Sequence, residues 1–402
     1  MEKLKLKGGT PVRDEPLPRW PAVTAEQAAL LVERLTGGPW ALGQLGCPPG
    51  GVQKTELERE LAALVGTKHA LAVSSGTTAL DLAIEALELP AGGVVVASSY
   101  GHPATIQRAA ASHELLLLDI DPQFHCLDPA QVARALERGD VRCVLTTHFA
   151  GQPGGIEELR AMCRAAGVPL VEDASHAHGA ALASGAVGSF GTLGAFSLHA
   201  TKNLPAAEGG VLTTDDTALY ERLWELHDLG RKKGVTPYEF SRLAGNHRMS
   251  ELHAGLALLG LPSLLKRADA RRRRVGRLRQ ALLELPGLEL LPEMPGLQRH
   301  AYHIVAARHD PSGFAGLSRQ RVILALCAEG IPVNGGWPRL ISAVPGARER
   351  CRPHDTPVAT RAVAQSIWFD ARLFDDDRAT EQTIAAVGKL HRLADTLRGG
   401  RA

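Results

Sequence analysis

Ser74-Ser75-Gly76-Thr77-Thr78-Ala79-Leu80 joins two runs of opposite texture. His69 to Ser75 is a short apolar run that reads as a strand. Thr77 to Leu89 reads as a helix, with a glycine at the turn and hydroxyl residues at the helix start. The alternation continues outward in both directions. Glu56 to Val65 reads as a helix and Val94 to Ser99 as a strand. Leu115 to Ile120, Cys143 to His148 and Pro169 to Glu172 are further short apolar runs, with a helix from Ile156 to Ala166 between the last two. Strands alternating with helices build βαβ units, so the expected fold is α/β, with a mostly parallel central sheet flanked by helices. Leu193 to Leu198 and Gly210 to Thr214 are two strands with no helix between them, which predicts an antiparallel part of the sheet.

After Leu261 the texture changes. A basic helix, Lys266 to Leu283, leads through the turn-rich stretch from Pro286-Gly287 to Pro295-Gly296 into weaker apolar runs. The expected division is residues 1–260, an N-terminal arm and a large domain, and residues 261–402, a smaller α+β C-terminal domain. Arg271-Arg272-Arg273-Arg274 sits in a helical pattern with Val275, Leu278 and Leu282 on one side, and no aromatic or second basic stripe accompanies it. It therefore reads as a solvated face or a subunit contact and not as a nucleic-acid site.

The chain has 402 residues and a formal net charge of +2, so it carries no overall bias toward nucleic acid or a membrane surface. Its start, Met1-Glu2-Lys3-Leu4-Lys5-Leu6-Lys7, has no apolar signal core, and no later stretch stays apolar long enough to span a bilayer. The expected location is the cytoplasm. Six cysteines, Cys47, Cys126, Cys143, Cys163, Cys327 and Cys351, are scattered without a CxxC pair, and the sixteen histidines contain no HExxH pattern. Structural thiols and no metal are expected.

Two further stretches carry chemistry. Glu172-Asp173-Ala174-Ser175-His176 ends a predicted strand, and Phe196-Ser197-Leu198-His199-Ala200-Thr201-Lys202-Asn203-Leu204 follows it in the chain. A lysine amine can condense with the aldehyde of pyridoxal phosphate, and a strand-end carboxylate can keep its pyridine nitrogen protonated so that the ring accepts electrons. The Ser75-Gly76-Thr77 helix start offers free N–H groups and a positive dipole to a phosphate, and Ser197 can add a hydroxyl. Each feature alone has a plainer reading: a surface lysine, a helix cap, an N-capping serine.

In order, these motifs and Glu208-Gly209-Gly210 resemble the DegT/DnrJ/StrS family of pyridoxal-phosphate sugar aminotransferases, closest to its aminocyclitol and 3-amino-5-hydroxybenzoate synthase branch. The likeness covers nearly the whole chain. Gly8-Gly9-Thr10-Pro11-Val12, Trp20-Pro21, Gly38-Pro39-Trp40, His148-Phe149-Ala150-Gly151-Gln152-Pro153 and Gly245-Asn246-His247-Arg248-Met249-Ser250-Glu251 fall in family order. The resemblance implies the aspartate-aminotransferase-like fold, fold type I, with pyridoxal 5'-phosphate as cofactor. It implies that Lys202 links to the cofactor, Asp173 pairs with the pyridine nitrogen and His176 stands near the phenolic oxygen. Ser75, Gly76, Thr77 and Ser197 would hold the phosphate. Asn246 matches an asparagine that reaches the neighbouring subunit's site, which implies a homodimer. The slot for an aromatic ring stacked on the cofactor holds His102, with Tyr100 the alternative if the loop register shifts by two.

Relatives that dehydrate sugars replace the lysine with histidine. Here Lys202 is present, and His199 lies three residues earlier, so the resemblance implies an aminotransferase. Gly-Gly-Thr-Pro-Val with Trp20-Pro21, and Ser366-Ile367-Trp368-Phe369-Asp370 with Leu373-Phe374, look like the aminocyclitol branch. They point to an amino-acid donor, L-glutamine or L-glutamate, and a small ketone acceptor, a cyclitol such as an inosose, in biosynthesis of the antibiotic type. A nucleotide-linked ketosugar is the alternative, with Arg231-Lys232-Lys233 as its pyrophosphate clamp. A 3-amino-5-hydroxybenzoate synthase-like enzyme and a cofactor-binding regulator without turnover are further readings. Trp40, His102, Trp337 and Trp368 are candidate pocket residues.

Overall fold

The computed structural model describes residues 2–36, 51–235 and 239–398. Helices α1 (Ala25–Thr36) and α2 (Val52–Val65) precede the first sheet. Strand β1 (His69–Val73) feeds α3 (Gly76–Ala86), and β2 (Val94–Ser98) feeds α4 (Gln107–Ser112). Next come β3 (Glu114–Leu118), α5 (Pro129–Leu136), β4 (Val141–Thr147), α6 (Ile156–Ala166) and β5 (Leu170–Asp173). A small hairpin, β6 (Ala181–Leu182) and β7 (Gly185–Ala186), leads to β8 (Leu193–Ser197), β9 (Gly210–Thr214) and α7 (Thr217–His227). Helices α8 (Glu251–Gly260) and α9 (Leu264–Leu282) then lead to β10 (Leu288–Leu290), β11 (Leu297–Arg299) and β12 (Ile304–His309). The chain closes with α10 (Arg319–Ala328), β13 (Val333–Asn334), α11 (Pro357–Gln365), β14 (Ser366–Asp370) and α12 (Asp377–Leu393).

The main sheet has seven strands in the order β1-β9-β8-β5-β4-β2-β3. β2 pairs parallel with β3 and β4, β4 with β5, and β5 with β8. β9 runs antiparallel to both β1 and β8, which is the antiparallel part expected from two strands in succession. Val94-Val95-Val96-Ala97-Ser98 is buried along its whole length, as a parallel strand covered by helices on both faces must be. A second sheet, β10-β12-β14-β13, forms a separate core with α9, α10 and α12.

Most element bounds agree with the sequence reading to within a few residues. α2 begins at Val52, ahead of the expected Glu56, because a distant residue caps it: Glu251 accepts from the Gln53 N–H at 2.7 Å and the Lys54 N–H at 3.1 Å. No local pattern announces that cap. The N-terminal arm, grouped with the large domain by its position in the chain, packs Leu4 into the core of the second sheet. There the fully buried Glu329 carboxylate accepts from the Lys5 and Val12 N–H groups at 2.7 and 3.0 Å and from Lys389 Nζ at 2.9 Å.

The run Arg271–Arg274 is not a solvated face throughout. Arg271 extends the buried stripe of Val275, Leu278 and Leu282 by one helical turn and is 2 % exposed. Its guanidinium meets Asp375 through two bonds of 2.6 and 2.7 Å and donates to Asn203 Oδ1 at 2.8 Å. Arg272 pairs with Glu293 at 2.6 Å and Arg274 with Asp377 at 2.9 Å. Carboxylates of the same chain thus pair with three of the four arginines.

Candidate active site

The carboxyl ends of the parallel strands converge on a cavity of about 430 Å³. Ligands in α/β sheets bind at this edge because the strand-to-helix turns there present loose backbone and helix N-termini. β1 delivers Ser75, Gly76 and Thr77, the loop after β2 delivers His102, β4 ends at Thr147, β5 at Asp173, and β8 at Ser197, with Lys202 beyond it.

The adjacent carboxylates of β5 point to opposite faces of the sheet and have different work. Glu172 is fully buried and accepts from Gly188, Phe190 and Gly191 N–H groups at 2.9, 2.7 and 2.6 Å and from His148 Nε2 at 2.8 Å. It ties the following loop to the sheet and does not line the cavity. Asp173 lines it, 4 % exposed, with Oδ2 accepting from Thr105 Oγ1 at 2.6 Å and Oδ1 from the Ser175 N–H at 3.1 Å. Two donors on an otherwise buried carboxylate fix its orientation toward the cavity. The Thr105 contact depends on a turn from Pro103 to Thr105, which His102 Nδ1 caps by accepting from the Ala104 N–H at 3.2 Å.

Lys202 is half-buried, and burial lowers its pKa below the usual 10.5 while the charge of Asp173 opposes that shift. Burial also holds the pKa of His176 well below 6.5, and the cationic Lys202 pushes it further the same way, so a neutral imidazole faces the cavity. Its Nδ1 is buried without a hydrogen-bond partner within the described residues. The Lys202 loop is held by Asn203, whose Nδ2 donates to Ala301 O at 2.6 Å while its Oδ1 accepts from Arg271.

At the start of α3, Ser75 Oγ accepts from the Thr78 N–H at 3.0 Å and caps the helix. The Gly76 and Thr77 N–H groups belong to the first turn, which has no intrahelical acceptors. Gly76 lies so close to β8 that a Cβ there would stand 2.5 Å from Ser197 Cβ, and this contact brings the Ser197 hydroxyl beside the helix end. An amine of lowered basicity, a buried carboxylate, and a helix N-terminus ringed with hydroxyls together suit pyridoxal phosphate.

Of the residues nominated from sequence, Ser75, Gly76, Thr77, His102, Asp173, His176, Ser197 and Lys202 line one cavity. Asn246 does not; it is exposed, in an isolated bridge with Asp228. Tyr100, the alternative to His102, is buried, with its hydroxyl 3.2 Å from Ser366 Oγ and its ring edge-on to Trp337. Trp337 lines the cavity, whereas Trp368 lines a neighbouring one with Trp20 and His303. Trp40 and Cys47 lie outside the described residues. Arg231, Lys232 and Lys233 are not at the cavity. Lys232 pairs with Glu239, Arg231 stands 3.8 Å from Asp228, and Lys233 Nζ donates to the Tyr220 hydroxyl at 3.0 Å. Glu208, quoted above only as part of a motif, lines the cavity, and sequence reasoning gave Thr105 no role. Thr105 stands three residues after His102, but only the fold shows that it meets Asp173.

Comparison with known proteins accords with this geometry. The model of the DegT/DnrJ/EryC1/StrS aminotransferase family matches residues 44–387. L-glutamine:2-deoxy-scyllo-inosose aminotransferase of Streptoalloteichus tenebrarius is 31 % identical over 424 residues, covering 98 % of this chain and 99 % of its own. L-glutamine:scyllo-inosose aminotransferase of Streptomyces griseus is 30 % identical over 341 residues, covering 81 % and 78 %. The crystal structure of 3-amino-5-hydroxybenzoic acid synthase superposes with a TM-score of 0.84 at 24 % identity, covering 96 % of this chain and all of that one, a likeness of fold. The chain belongs to the DegT/DnrJ/EryC1/StrS aminotransferase family and is an aminotransferase with pyridoxal phosphate as its cofactor.

Proposed function

We propose that this enzyme moves the α-amino group of L-glutamine to the ketone of an inosose, as a cytoplasmic homodimer. The observation that carries the reading is the end-to-end similarity to a glutamine:inosose aminotransferase. The cavity supports it, because Lys202 is the only lysine or arginine among its described lining residues. A nucleotide sugar brings a pyrophosphate that calls for such cations, and an inosose brings none. Asn246 is exposed and does not line its own chain's cavity, which suits a residue that serves a second subunit's site. Among the described residues no helix is long and apolar enough to cross a membrane.

When bound, the cofactor supplies an aldehyde for the amine chemistry and a ring that takes up electrons. Asp173, held by Thr105 and Ser175, would hold the proton on the ring nitrogen. Gly76, Thr77, Ser75 and Ser197 would hold the phosphate. Lys202 Nζ would hold the cofactor through its aldehyde carbon and, as a free amine, would take up the proton of the donor's α-carbon; burial lets it give that proton up more readily than an exposed lysine does. His176, kept neutral, can donate or accept one hydrogen bond beside these groups without adding charge.

The test is to supply L-glutamine with scyllo-inosose or 2-deoxy-scyllo-inosose and detect the aminated cyclitol by mass spectrometry, with a nucleotide-linked ketosugar and the ketone precursor of an aminohydroxybenzoate in parallel. Amination of an inosose alone is expected. Preference for either of the other ketones, or no product from any of them, would contradict the reading.

A further inference from the structure

Trp337 is the one described residue lining the Lys202 cavity that comes from beyond residue 208. Every residue proposed above to hold the cofactor within its own subunit lies at the ends of the main sheet's strands or in the loops that follow them, so Trp337 enters from a different part of the chain. It arrives on a braced segment. Asn334 Oδ1 accepts from the Gly336 N–H at 2.9 Å, and Arg319 Nη1 donates to the carbonyls of Gly335, Val363 and Ser366 at 2.9, 2.7 and 3.1 Å. Gly336 has a φ of +71° and lies against the Trp368 indole, where a Cβ would come within 2.6 Å.

The ring itself is fixed by its neighbours. Tyr100 and Trp368 meet it edge-on at 4.8 and 5.1 Å between centroids, Phe149 leans on it at 5.4 Å, and His176 lies nearly parallel at 6.1 Å and 16°. Such a cluster leaves the indole few rotamers and presents one preformed apolar surface to the cavity. The other cavity residues are mainly hydroxyl, carboxylate or imidazole groups: Thr147, Ser175, His199, Thr201 and Glu208 among them.

One large rigid aromatic surface in a cavity whose other side chains are mostly polar, Leu80 and Ala104 being the aliphatic exceptions, matches a polyhydroxylated six-membered ring. Such a ring carries hydroxyls around its rim and a face of polarised C–H bonds. Glutamine, a flexible chain ending in polar groups, offers no comparable face. We propose that Trp337 is the acceptor-specificity residue: its indole stacks against the C–H face of the cyclitol ring in the second half of the reaction and plays no part in the first. The inference rests on the inosose reading above.

The two halves can be measured apart on the cofactor-loaded enzyme. The donor half is followed by loss of the bound cofactor's visible absorption on adding L-glutamine, and the acceptor half by its return on adding inosose. Trp337→Ala is expected to raise the inosose concentration for half-maximal return about tenfold or more, while Trp337→Phe, which keeps a smaller ring, raises it less. The glutamine half-reaction is expected to stay within about threefold of wild type in both variants, as for a residue making no contact with the donor. An unchanged acceptor concentration in Trp337→Ala, or equal loss in both halves, would overturn the inference. If Trp337→Ala fails to fold, the graded acceptor effect is read from Trp337→Phe against wild type. A wild-type enzyme that responds to glutamine but to no inosose sinks the acceptor reading and this inference with it. Normal wild-type turnover with no acceptor effect in the variants sinks the stacking alone.

Discussion

Glu172→Gln is expected to destabilise the protein strongly, although the side chain touches no substrate. Glu172 is fully buried, and its Oε1 accepts from Phe190 and Gly191 N–H groups while Oε2 accepts from the Gly188 N–H and His148 Nε2. An amide keeps one oxygen and places an NH₂ among the remaining donors. If the NH₂ faces Phe190 and Gly191, two bonds are lost and two backbone donors are stranded. If it faces Gly188 and His148, the imidazole can move its proton to Nδ1, which has no partner of its own, and only the Gly188 contact becomes repulsive. The second arrangement costs less. With a bond to a charged acceptor worth about 1.5–3 kcal/mol and a further penalty for the stranded donor, the expected loss is about 2–4 kcal/mol. Urea unfolding of the cofactor-free protein at one fixed concentration measures it as a lower midpoint with unchanged slope. Because Glu172 anchors the strand end that presents Asp173, cofactor retention should fall as well. A loss below about 1 kcal/mol would refute the claim that this carboxylate organises the loop.

Arg271→Met should cost about 3–5 kcal/mol, since it leaves Asp375 without its bidentate partner. It should also loosen Asn203 beside Lys202, which a lower cofactor content after dialysis would register. Burial lowers the pKa of His125 to about 4 and those of His178 and His300 to about 3, below the ordinary 6.5. Unfolding lets these residues take up protons that the native state refuses, so stability is intact above about pH 6.5 and falls as the pH drops below it. The slope is about 1.4 kcal/mol per pH unit for each histidine, and urea midpoints that stay flat between about pH 7.5 and 5 would contradict this. The lowered pKa of Lys202 should bring its condensation with added pyridoxal phosphate to half its maximal rate below pH 10.5; a midpoint at or above that value would deny the effect of burial.

The site was legible in the sequence where chemistry and local pattern coincide. Gly76 at a strand-to-helix turn, Asp173 at a strand end and Lys202 in its loop each leave a local mark, and family order set them together. What stayed hidden depends on contacts between distant segments. Glu172 and Asp173 read as one acidic stretch, and only the pleat of β5 assigns one to the loop and the other to the cavity. Arg271 read as part of a charged face because its partner Asp375 lies over a hundred residues away. Thr105 was a plain loop residue until the His102-capped turn set it against Asp173. The Glu251 cap on α2 and the docking of Leu4 beside the second sheet are likewise long-range, and no period of three or two residues encodes them.

The central claim is tested most directly by the absorption spectrum of the cofactor-loaded protein before and after L-glutamine, with Lys202→Ala beside it. The account requires the visible band of the bound cofactor to disappear with glutamine in the wild type and to return on adding an inosose. The variant should show neither the wild-type band nor the response. A band that persists through glutamine, or a variant that responds as the wild type does, would contradict it.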